Sequence, residues 1–415
     1  MVINVNDMDL PYIPPKIIKS DLDAYDQFNI GIDAHKKSWI GTTKLSYIIL
    51  DHKHSAAMLK DKRWHNGLYL LSEANPHFDE KTKSGRKKLI INLEGNDHLR
   101  LKKIIGPVFS PRTADSLRPE MNKAINEVID MVIEKGECDL QKDIFNRYPS
   151  YIISKIVGVP NSEWEKFSEW ADDTFKTFGG NYDHHSEKIM NTQRELDEYT
   201  KNLILARREK RENDLVSMLI DAEADGEKLT DAEISSLIQT VLMAGLDTTR
   251  CQLGLIAVML MDRPDLIDMI ANDINTEEIL EECVRLDGVF KYLIRIASED
   301  IEYNGVLFPK GTIISPALMV GNYDETVFED PCAFDIDRVN RKAATLSYGG
   351  GIHYCLGASL ARAQMQECMK VLTKRMGDYS LNGDIIYKKA YESVWGPRSI
   401  PVTFTPGSKQ STDSI

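Results

Sequence analysis

The most informative stretch of this sequence is Tyr348-Gly349-Gly350-Gly351-Ile352-His353-Tyr354-Cys355-Leu356-Gly357. Three consecutive glycines cost both helices and strands conformational entropy, so they indicate a backbone that turns sharply or passes close to something flat and bulky. Cys355 comes just before a helical run that begins at Ala358. Backbone amides at a helix N-terminus favour the thiolate form of a cysteine. Cys355 is therefore a candidate axial iron ligand or nucleophile, with a buried structural cysteine as the alternative.

Length, composition and charge limit the class of protein. The chain has 415 residues, 42% of them hydrophobic, and no Pro/Gly/Ser-rich linker divides it. We therefore expect one domain over residues 1–406 and a disordered tail over 407–415. The net charge of −13 argues against a nucleic-acid-binding surface. The six cysteines have no paired short spacings, which favours free thiols in a reducing, cytoplasmic compartment. The N-terminal residues have no apolar core of signal-peptide length.

Helical periodicity dominates the chain, and strand-like runs are fewer. The sequence predicts a mainly α fold with a small β region. The candidate helices are 114–135, 141–157, 161–177, 185–210, 214–223, 230–262, 264–273, 276–287 and 358–376. The candidate strands are 46–50, 292–297, 301–307 and 312–316, with further short pieces after 379.

The best-delimited element is a long helix that begins at Thr230 with a capping box formed by Thr230 and Glu233. It runs to about Met261, a length of about 45–50 Å at 1.5 Å per residue, which is enough to cross a domain. Its apolar half is long enough to span a membrane, but it contains Asp247 and Arg250, which hydrocarbon penalises. We expect a buried central helix and no membrane segment.

The middle of this helix contains residues that weaken it. Gly245 costs about 1 kcal/mol relative to alanine, and Asp247 and Thr248 are also poor helix formers. An acid beside an alcohol in a rigid central helix suggests chemistry at this point, with a satisfied structural pair as the alternative.

Two weaker signals accompany these motifs. Glu282 and Arg285 lie three residues apart on one helix face, and His98 to Lys103 form a basic, partly helical stretch. Alone, the first is an ordinary surface ion pair worth a few tenths of a kcal/mol, and the second is a solvated basic face.

Together, in this order, the four signals resemble the cytochrome P450 family of heme-thiolate monooxygenases, and most closely its soluble bacterial members. The resemblance spans about Leu45 to Phe404, and the segments 321–324 and 334–338 agree with it. It implies a P450 fold in which the long central helix lies over heme b.

The resemblance also implies roles for individual residues. Cys355 would be the proximal ligand of the heme iron, where a thiolate favours O–O cleavage. Asp247 and Thr248 would be the catalytic acid–alcohol pair that supplies protons for dioxygen activation. The residues matched to heme binding are His98, Lys102, Ala244, Arg295, Tyr348, Gly349, His353, Cys355 and Gly357, and Gly351 would also let the backbone lie against the porphyrin. Those matched to bracing of the cysteine loop are Glu282, Arg285 and Arg338, and those matched to the substrate pocket are Met243, Val289, Phe290, Val394 and Trp395, with residues 67–74.

Three positions depart from the family pattern. Tyr348 stands where phenylalanine is usual, so its hydroxyl needs a partner. Lys102 replaces a frequent arginine, and this exchange loses bidentate geometry towards a heme propionate. Tyr323 also replaces a frequent arginine, with no clear consequence.

Two further segments bear on the pocket. We expect Lys291 to point away from it, with contact to a substrate carboxylate as the alternative. Residues 178–185 indicate a mobile loop between two helices, and the resemblance implies that this loop acts as a lid. The adjacent His184 and His185 on such a loop are not expected to bind metal.

The resemblance implies an apolar small-molecule substrate (terpenoid, steroid or fatty-acid-like), dioxygen, and electrons from a separate protein. A basic patch of Lys102, Lys103, Arg112 and Arg362 would dock an acidic, ferredoxin-type iron–sulfur donor to a monomeric enzyme. Three alternatives remain open at this point: a peroxide-driven or partner-independent heme-thiolate enzyme, a thiol enzyme using Cys355 with His353, and a heme sensor without turnover.

Overall fold

Helices fill most of the chain, and most of the short strands fall within residues 3–66, 295–316 and 380–403. The computed structural model describes residues 2–13, 24–43, 45–176, 182–224, 227–388 and 394–410. Its α-helices, numbered α1 to α17 in chain order, are Ala24–His35, His52–Lys60, Tyr69–Glu73, Glu80–Lys87, Gly95–Ile105, Pro111–Ser116, Arg118–Asp130, Tyr148–Val157, Trp164–Phe175, Tyr182–Glu209, Leu215–Asp221, Asp231–Leu260, Pro264–Ala271, Thr276–Leu286, Leu318–Gly321, Arg341–Ala344 and Ala358–Met376.

The β region consists of small sheets that join distant parts of the chain. Its strands, β1 to β15, are Ile3–Asn4, Ile40–Thr42, Tyr47–Ile49, Trp64–Asn66, Glu137–Asp139, Glu223–Ala224, Glu227–Lys228, Arg295–Ala297, Ile301–Tyr303, Val306–Phe308, Ile313–Pro316, Ser380–Leu381, Ile386–Tyr387, Pro397–Ser399 and Pro401–Thr403. The largest sheet has the strand order β2-β3-β11-β8-β4, with β3 parallel to β11. It therefore ties the first 66 residues to the segment that follows α14.

The central helix, α12 (Asp231–Leu260), organises the helical part. Thr230 caps it, and Glu233 completes the reciprocal capping box that the sequence predicts. Helices α8, α9, α10, α14 and α17 pack around it. The helix is apolar and long enough to cross a membrane, but 78% of its most apolar stretch is buried inside the fold. Packing against these neighbours accounts for its composition.

Most of the predicted helices after residue 114 are confirmed, but two are divided. The predicted helix 114–135 breaks at Leu117, because Pro119 fits the first turn of a new helix that begins at Arg118. The predicted helix 141–157 is a π-helical turn, Leu140–Phe145, followed by α8, which has Pro149 in its first turn. Helices α1 to α4, most of α5, and the four-residue helices α15 and α16 were not predicted from the sequence.

Residues at the C-terminal end of the described chain contact the helical core. The Gly407 N–H donates to the carbonyl oxygen of Ile133 over 3.0 Å, and the Gln410 N–H donates to Asp130 over 3.2 Å. Residues 407–410 of the predicted tail are thus bonded to the end of α7 and the turn after it, and 411–415 lie outside the described residues. The predicted lid residues 178–181 also lie outside them, as do the side chains of 182–184, His184 included.

Candidate functional site

A cavity of about 480 Å³ separates the central helix from the cysteine loop. Ala244 lies in the middle of a helix that is otherwise largely buried, yet it is exposed, because it faces this cavity. Cys355 lies on the wall formed by the loop, and most of the remaining lining is apolar. The cavity therefore brings together the two motifs that the sequence marks most strongly.

The cysteine loop is shaped by its own backbone. Gly349 has a φ of +73°, which glycine adopts at little cost. The Cys355 N–H donates to the carbonyl oxygen of Tyr348 over 2.9 Å and closes the loop. Burial raises the pKa of the Cys355 thiol, while the Gly357 N–H and the cations of Arg362 and Lys102 act in the opposite direction. The loop thus presents a sulfur atom to the cavity with donors and positive charge around it.

Gly351 has a different reason to be glycine from the one predicted. Its φ is +66°, and a Cβ atom at this position would lie 2.3 Å from the carbonyl oxygen of Leu59 and 3.0 Å from the Cα atom of Lys60. Gly351 therefore packs against the end of α2, and it does not line the cavity. Gly349 and Gly357 do line it, as expected.

Two histidines from distant parts of the chain, His98 and His353, line one side of the cavity, and the buried Arg295 lies behind this wall, close enough to interact with Glu94 beside His353. The His98 and His353 rings have centroids 4.7 Å apart. Burial lowers the pKa of His98 to about 4, and its Nδ1 atom has no hydrogen-bond partner within the described part of the chain. Arg295 is buried, and burial lowers its pKa to about 10. Among the described residues its guanidinium has one acceptor, the adjacent carbonyl oxygen of Ile294 at 3.0 Å.

Two contacts of this basic cluster were not predicted from the sequence. His353 Nε2 lies 2.9 Å from Glu94 Oε1, and the same oxygen accepts the Asn66 N–H at 2.6 Å. Lys102 lines the cavity and donates to the carbonyl oxygen of Ile352 over 2.5 Å. Lys102 is thus bonded to the cysteine loop itself.

The predicted bracing residues form one buried network behind the loop. Arg285 donates to both carboxylate oxygens of Glu282, at 2.8 and 2.7 Å, and both side chains are fully buried. Arg338 donates to Glu282 Oε1 over 3.2 Å. Arg285 also donates to the carbonyl oxygens of Asn322 and Pro331, at 2.8 and 2.9 Å, so the network holds the segment that leads into the loop.

The predicted acid–alcohol pair is divided between two environments. Thr248 lines the cavity, and its hydroxyl donates to the carbonyl oxygen of Ala244 over 2.7 Å. Asp247 is fully buried and lies outside the cavity lining, where Lys388 and Arg250 donate to its Oδ1 atom at 2.6 and 2.8 Å. Burial alone would raise the pKa of Asp247, but Lys388 and Arg250 lower it to about 2. The carboxylate is therefore ionised and held by two cations.

Four of the five predicted pocket residues line the cavity, namely Val289, Phe290, Val394 and Trp395. The prediction for Met243 is wrong, because Met243 is buried in the main hydrophobic core. The side of the helix that lines the cavity carries Thr240, Val241, Ala244, Gly245, Thr248 and Thr249, a repeat of about one helical turn, and Met243 lies outside this repeat.

The position of Lys291 also differs from the expectation that this side chain points away from the pocket. It lines the cavity, and its Nζ atom lies 5.7 Å from the centroid of the Trp395 ring. The ammonium donates to Asp287 Oδ1 over 2.5 Å and to the Gly288 carbonyl oxygen over 3.1 Å. A charged pair of this kind is unusual in a wall that is otherwise mainly apolar.

The site suits a large flat cofactor that carries anionic groups. The buried guanidinium of Arg295 and the unpartnered Nδ1 of His98 are donors that an anion would satisfy. The cysteine sulfur and open space above Gly357 lie on the same cavity.

Comparison with known proteins decides the assignment. The family model for cytochrome P450 matches residues 38–375. The chain belongs to the cytochrome P450 family. It is therefore an oxidoreductase whose cofactor is heme b, and the groups described above fit that cofactor.

Curated P450 relatives and solved structures resemble nearly the whole chain. The luteothin monooxygenase of Streptomyces thioluteus is 28% identical over 90% of this chain and 91% of its own. The steroid C26-monooxygenase of Mycolicibacterium smegmatis is 29% identical over 77% of this chain and 80% of its own. The crystal structure of P450BioI in complex with a hexadec-9Z-enoic acid ligated acyl carrier protein has a TM-score of 0.85 and 26% identity, and the match covers 92% of this chain and 99% of that one.

Proposed function

We propose that this P450 inserts one oxygen atom from dioxygen into an apolar small molecule, with electrons from a separate ferredoxin-type protein. The single observation that carries the proposal is one cavity lined by both Cys355 and Thr248, with mainly apolar walls between them. The names of the relatives from Streptomyces thioluteus and Mycolicibacterium smegmatis, both monooxygenases, support the same reaction type. Within this proposal, residues 1–406 form one heme domain of a monomeric, cytoplasmic enzyme.

The residues around the cavity divide the work of holding the cofactor. Heme b supplies the redox chemistry that activates dioxygen, and a thiolate ligand favours O–O cleavage. In the proposal Cys355 is that ligand. In the proposal Arg295, His98 and His353 bind the propionates through charge-assisted hydrogen bonds, and the contact between the two histidine rings and the single acceptor of the Arg295 guanidinium support this assignment. Lys102 donates one N–H to the carbonyl oxygen of Ile352. It would therefore contribute a positive charge near the propionates and would also stabilise the cysteine loop.

Proton delivery is assigned to Thr248 and Asp247. The hydroxyl of Thr248 is the only part of this pair that reaches the cavity wall in the described chain, so it hands protons to the reacting oxygen. Asp247 follows it directly in the relay. Because the Asp247 carboxylate is ionised and held by Lys388 and Arg250, it must first break one of these contacts and take up a proton from solvent, which it then passes to the Thr248 hydroxyl.

The carbon monoxide spectrum of the reduced protein tests the ligand. The proposal expects a red-shifted Soret band, which is typical of sulfur-ligated heme iron, and expects Cys355→Ser to lose it. Cys332, an exposed free cysteine in another part of the chain, offers the matched control, and Cys332→Ser should keep the band. Absence of the band in the unmodified protein, or its survival in Cys355→Ser, would contradict the proposal.

Docking of the electron donor is assigned to Lys103 and Arg112, which are exposed. The two other members of the predicted basic patch have internal roles, because Arg362 is paired with Glu281 and Lys102 is bonded to Ile352. Lys103→Glu and Arg112→Glu should slow reduction by an acidic ferredoxin several-fold at low salt, because long-range attraction raises association rates. Lys201→Glu, on the exposed face of α10, serves as the control. Equal reduction rates would contradict this docking site.

The alternative function is peroxide-driven or partner-independent turnover. The Thr248 hydroxyl on the cavity wall favours the reaction with dioxygen, because hydrogen peroxide is already reduced and needs no proton relay. Product formation with hydrogen peroxide alone, at a rate that a reduced ferredoxin does not exceed, would favour the alternative.

A further inference from the structure

The Lys291–Asp287 pair is the feature of the cavity that heme binding and proton delivery leave unexplained. Both side chains are nearly buried, with exposed fractions of 10% and 5%. They belong to the segment that leads from α14 to β8, and that segment supplies Val289 and Phe290 to the same wall. A charged pair at this position costs desolvation unless its hydrogen bonds are satisfied.

One hydrogen-bond donor of the Lys291–Asp287 pair lacks an acceptor among the described residues. A lysine ammonium has three N–H donors. Two of those of Lys291 reach Asp287 and the Gly288 carbonyl oxygen, and the structure gives no acceptor for the third among the residues it describes. Lys291 lines the cavity beside the ring of Trp395, so an acceptor within the cavity can complete it.

The charge balance decides which kind of acceptor fits. Asp287 neutralises Lys291, so the wall offers a directed N–H donor without net positive charge. A ligand carboxylate would be attracted by Lys291 and repelled by Asp287 at short range, and it would also lose its hydration. An uncharged carbonyl or hydroxyl oxygen gains the hydrogen bond and pays much less desolvation.

We propose that Lys291 donates its third N–H to an uncharged oxygen of the substrate, so that the preferred substrates are apolar molecules with a ketone, ester, lactone or hydroxyl group. This inference rests on the proposed monooxygenase function, because it assigns the substrate class of that cavity. It replaces the carboxylate partner considered from the sequence. Asp287 acts through Lys291 as a positioning residue that sets the charge of the subsite.

The test is an optical titration of the heme-loaded protein with matched probes. One series is tetradecane, 2-tetradecanone and tetradecanoate, and the other is 5α-androstane and 5α-androstan-3-one. Binding is followed by the low- to high-spin shift of the heme. At least one ketone should bind about tenfold more tightly than its hydrocarbon, the ratio expected for one hydrogen bond from a charged donor. The inference is wrong if neither ketone binds more tightly than its hydrocarbon.

Three single variants and one double variant distinguish the effect of the Lys291 donor from the effect of its charge. Lys291→Met should remove the tenfold preference for the ketone, and Lys291→Gln, which keeps an N–H, should restore part of it. Asp287→Asn leaves Lys291 without a counterion. Tetradecanoate should therefore bind to this variant at least tenfold more tightly than it binds to the wild type. Because Lys291→Met leaves Asp287 buried and unpaired, the double variant Asp287→Asn/Lys291→Met provides a neutral pair in case the single variant does not fold.

The outcomes distinguish this inference from the proposed function. Each protein is first checked for the carbon monoxide band of a thiolate-ligated heme. If the wild type lacks the band, the proposed function fails. If the band is present and Lys291→Met keeps the wild-type ratio between ketone and hydrocarbon, or the wild type prefers tetradecanoate, only the inference about Lys291 fails.

Discussion

Lys388 donates a hydrogen bond to Asp247 over 2.6 Å and so joins the segment after β13 to the middle of the central helix. Asp172 of α9 takes part at 3.4 Å from Lys388 and 2.6 Å from Arg250, so two acids and two cations form one cluster. Asp247 and Lys388 are almost fully buried. The acid proposed for proton delivery is thus also a structural link between three elements.

Replacing Lys388 by methionine should destabilise the protein by about 3 kcal/mol, because removal of one partner leaves a buried charge less compensated. Denaturant unfolding followed by circular dichroism measures this loss. The control is Lys36→Met, which breaks an exposed pair with Asp33 and should cost less than 1 kcal/mol. A loss for Lys388→Met as small as that of the control would show that Arg250 alone satisfies Asp247.

Thr248→Ala should uncouple turnover, so that reducing equivalents are consumed and peroxide is released in place of product. The reason is that Thr248 brings the hydroxyl of the proposed relay to the cavity wall. The measurement is the ratio of product to reduced cofactor consumed, together with the peroxide yield. Thr248→Ser retains a hydroxyl and should stay largely coupled. Unchanged coupling in Thr248→Ala would count against the relay.

Tyr348→Phe should stabilise the protein by about 1 kcal/mol. The Tyr348 hydroxyl is buried and has no partner within the described residues, and an unsatisfied buried polar group is costly. The ring itself packs under the Arg362 guanidinium, whose central carbon lies 4.2 Å from the ring centroid, and phenylalanine preserves that contact.

A second tyrosine provides a control of opposite sign. The Tyr379 hydroxyl is buried and donates to the carbonyl oxygen of Ala257 over 3.0 Å. Tyr379→Phe should therefore destabilise the protein by about 1 kcal/mol, since that carbonyl loses its side-chain donor. Thermal unfolding of the two variants in one buffer tests the contrast. Equal losses in both would mean that Tyr348 has a partner in solution.

Arg285→Lys should cost about 2–3 kcal/mol, because buried acceptors lose their donors, and should lower the heme content of the purified protein. A lysine cannot reproduce the bidentate contact with Glu282 or the donations to the carbonyl oxygens of Asn322 and Pro331. The pyridine hemochrome assay and unfolding curves measure the two effects. Arg263→Lys changes an exposed pair with Asp265 and serves as the control. Full heme content in Arg285→Lys would mean that the network does not brace the loop.

The sequence predicted the fold well where local chemistry decides the structure. Thr230 and Glu233 mark the start of the central helix, and the glycines before Cys355 mark a loop, because capping and backbone freedom are local properties. The family resemblance is confirmed by the match over residues 38–375. The first five helices have only 5 to 12 residues each, and such short elements offer few turns from which periodicity can be recognised.

The partners that complete the site depend on tertiary contacts, and a single sequence does not reveal them. Lys388 is 141 residues from Asp247, and Glu94 is 259 residues from His353. Nothing near Lys388 or Glu94 in the sequence marks them as functional. The misplacement of Met243 has a different cause. Which side of the buried central helix faces the cavity depends on where the cysteine loop packs, and the helix sequence alone does not show this.

The close packing of Gly351 against Leu59 means that the shape of the loop around the proposed iron ligand depends on a distant part of the chain. The loop near the end of the chain takes its shape from the last turn of a helix within the first 60 residues. In a fragment that lacks α2, the cysteine loop would lose the surface of Leu59 and Lys60 against which Gly351 packs. We therefore expect that transplanting the ten residues around Cys355 into another helical protein would transfer the cysteine without the loop conformation that presents its sulfur to the cavity.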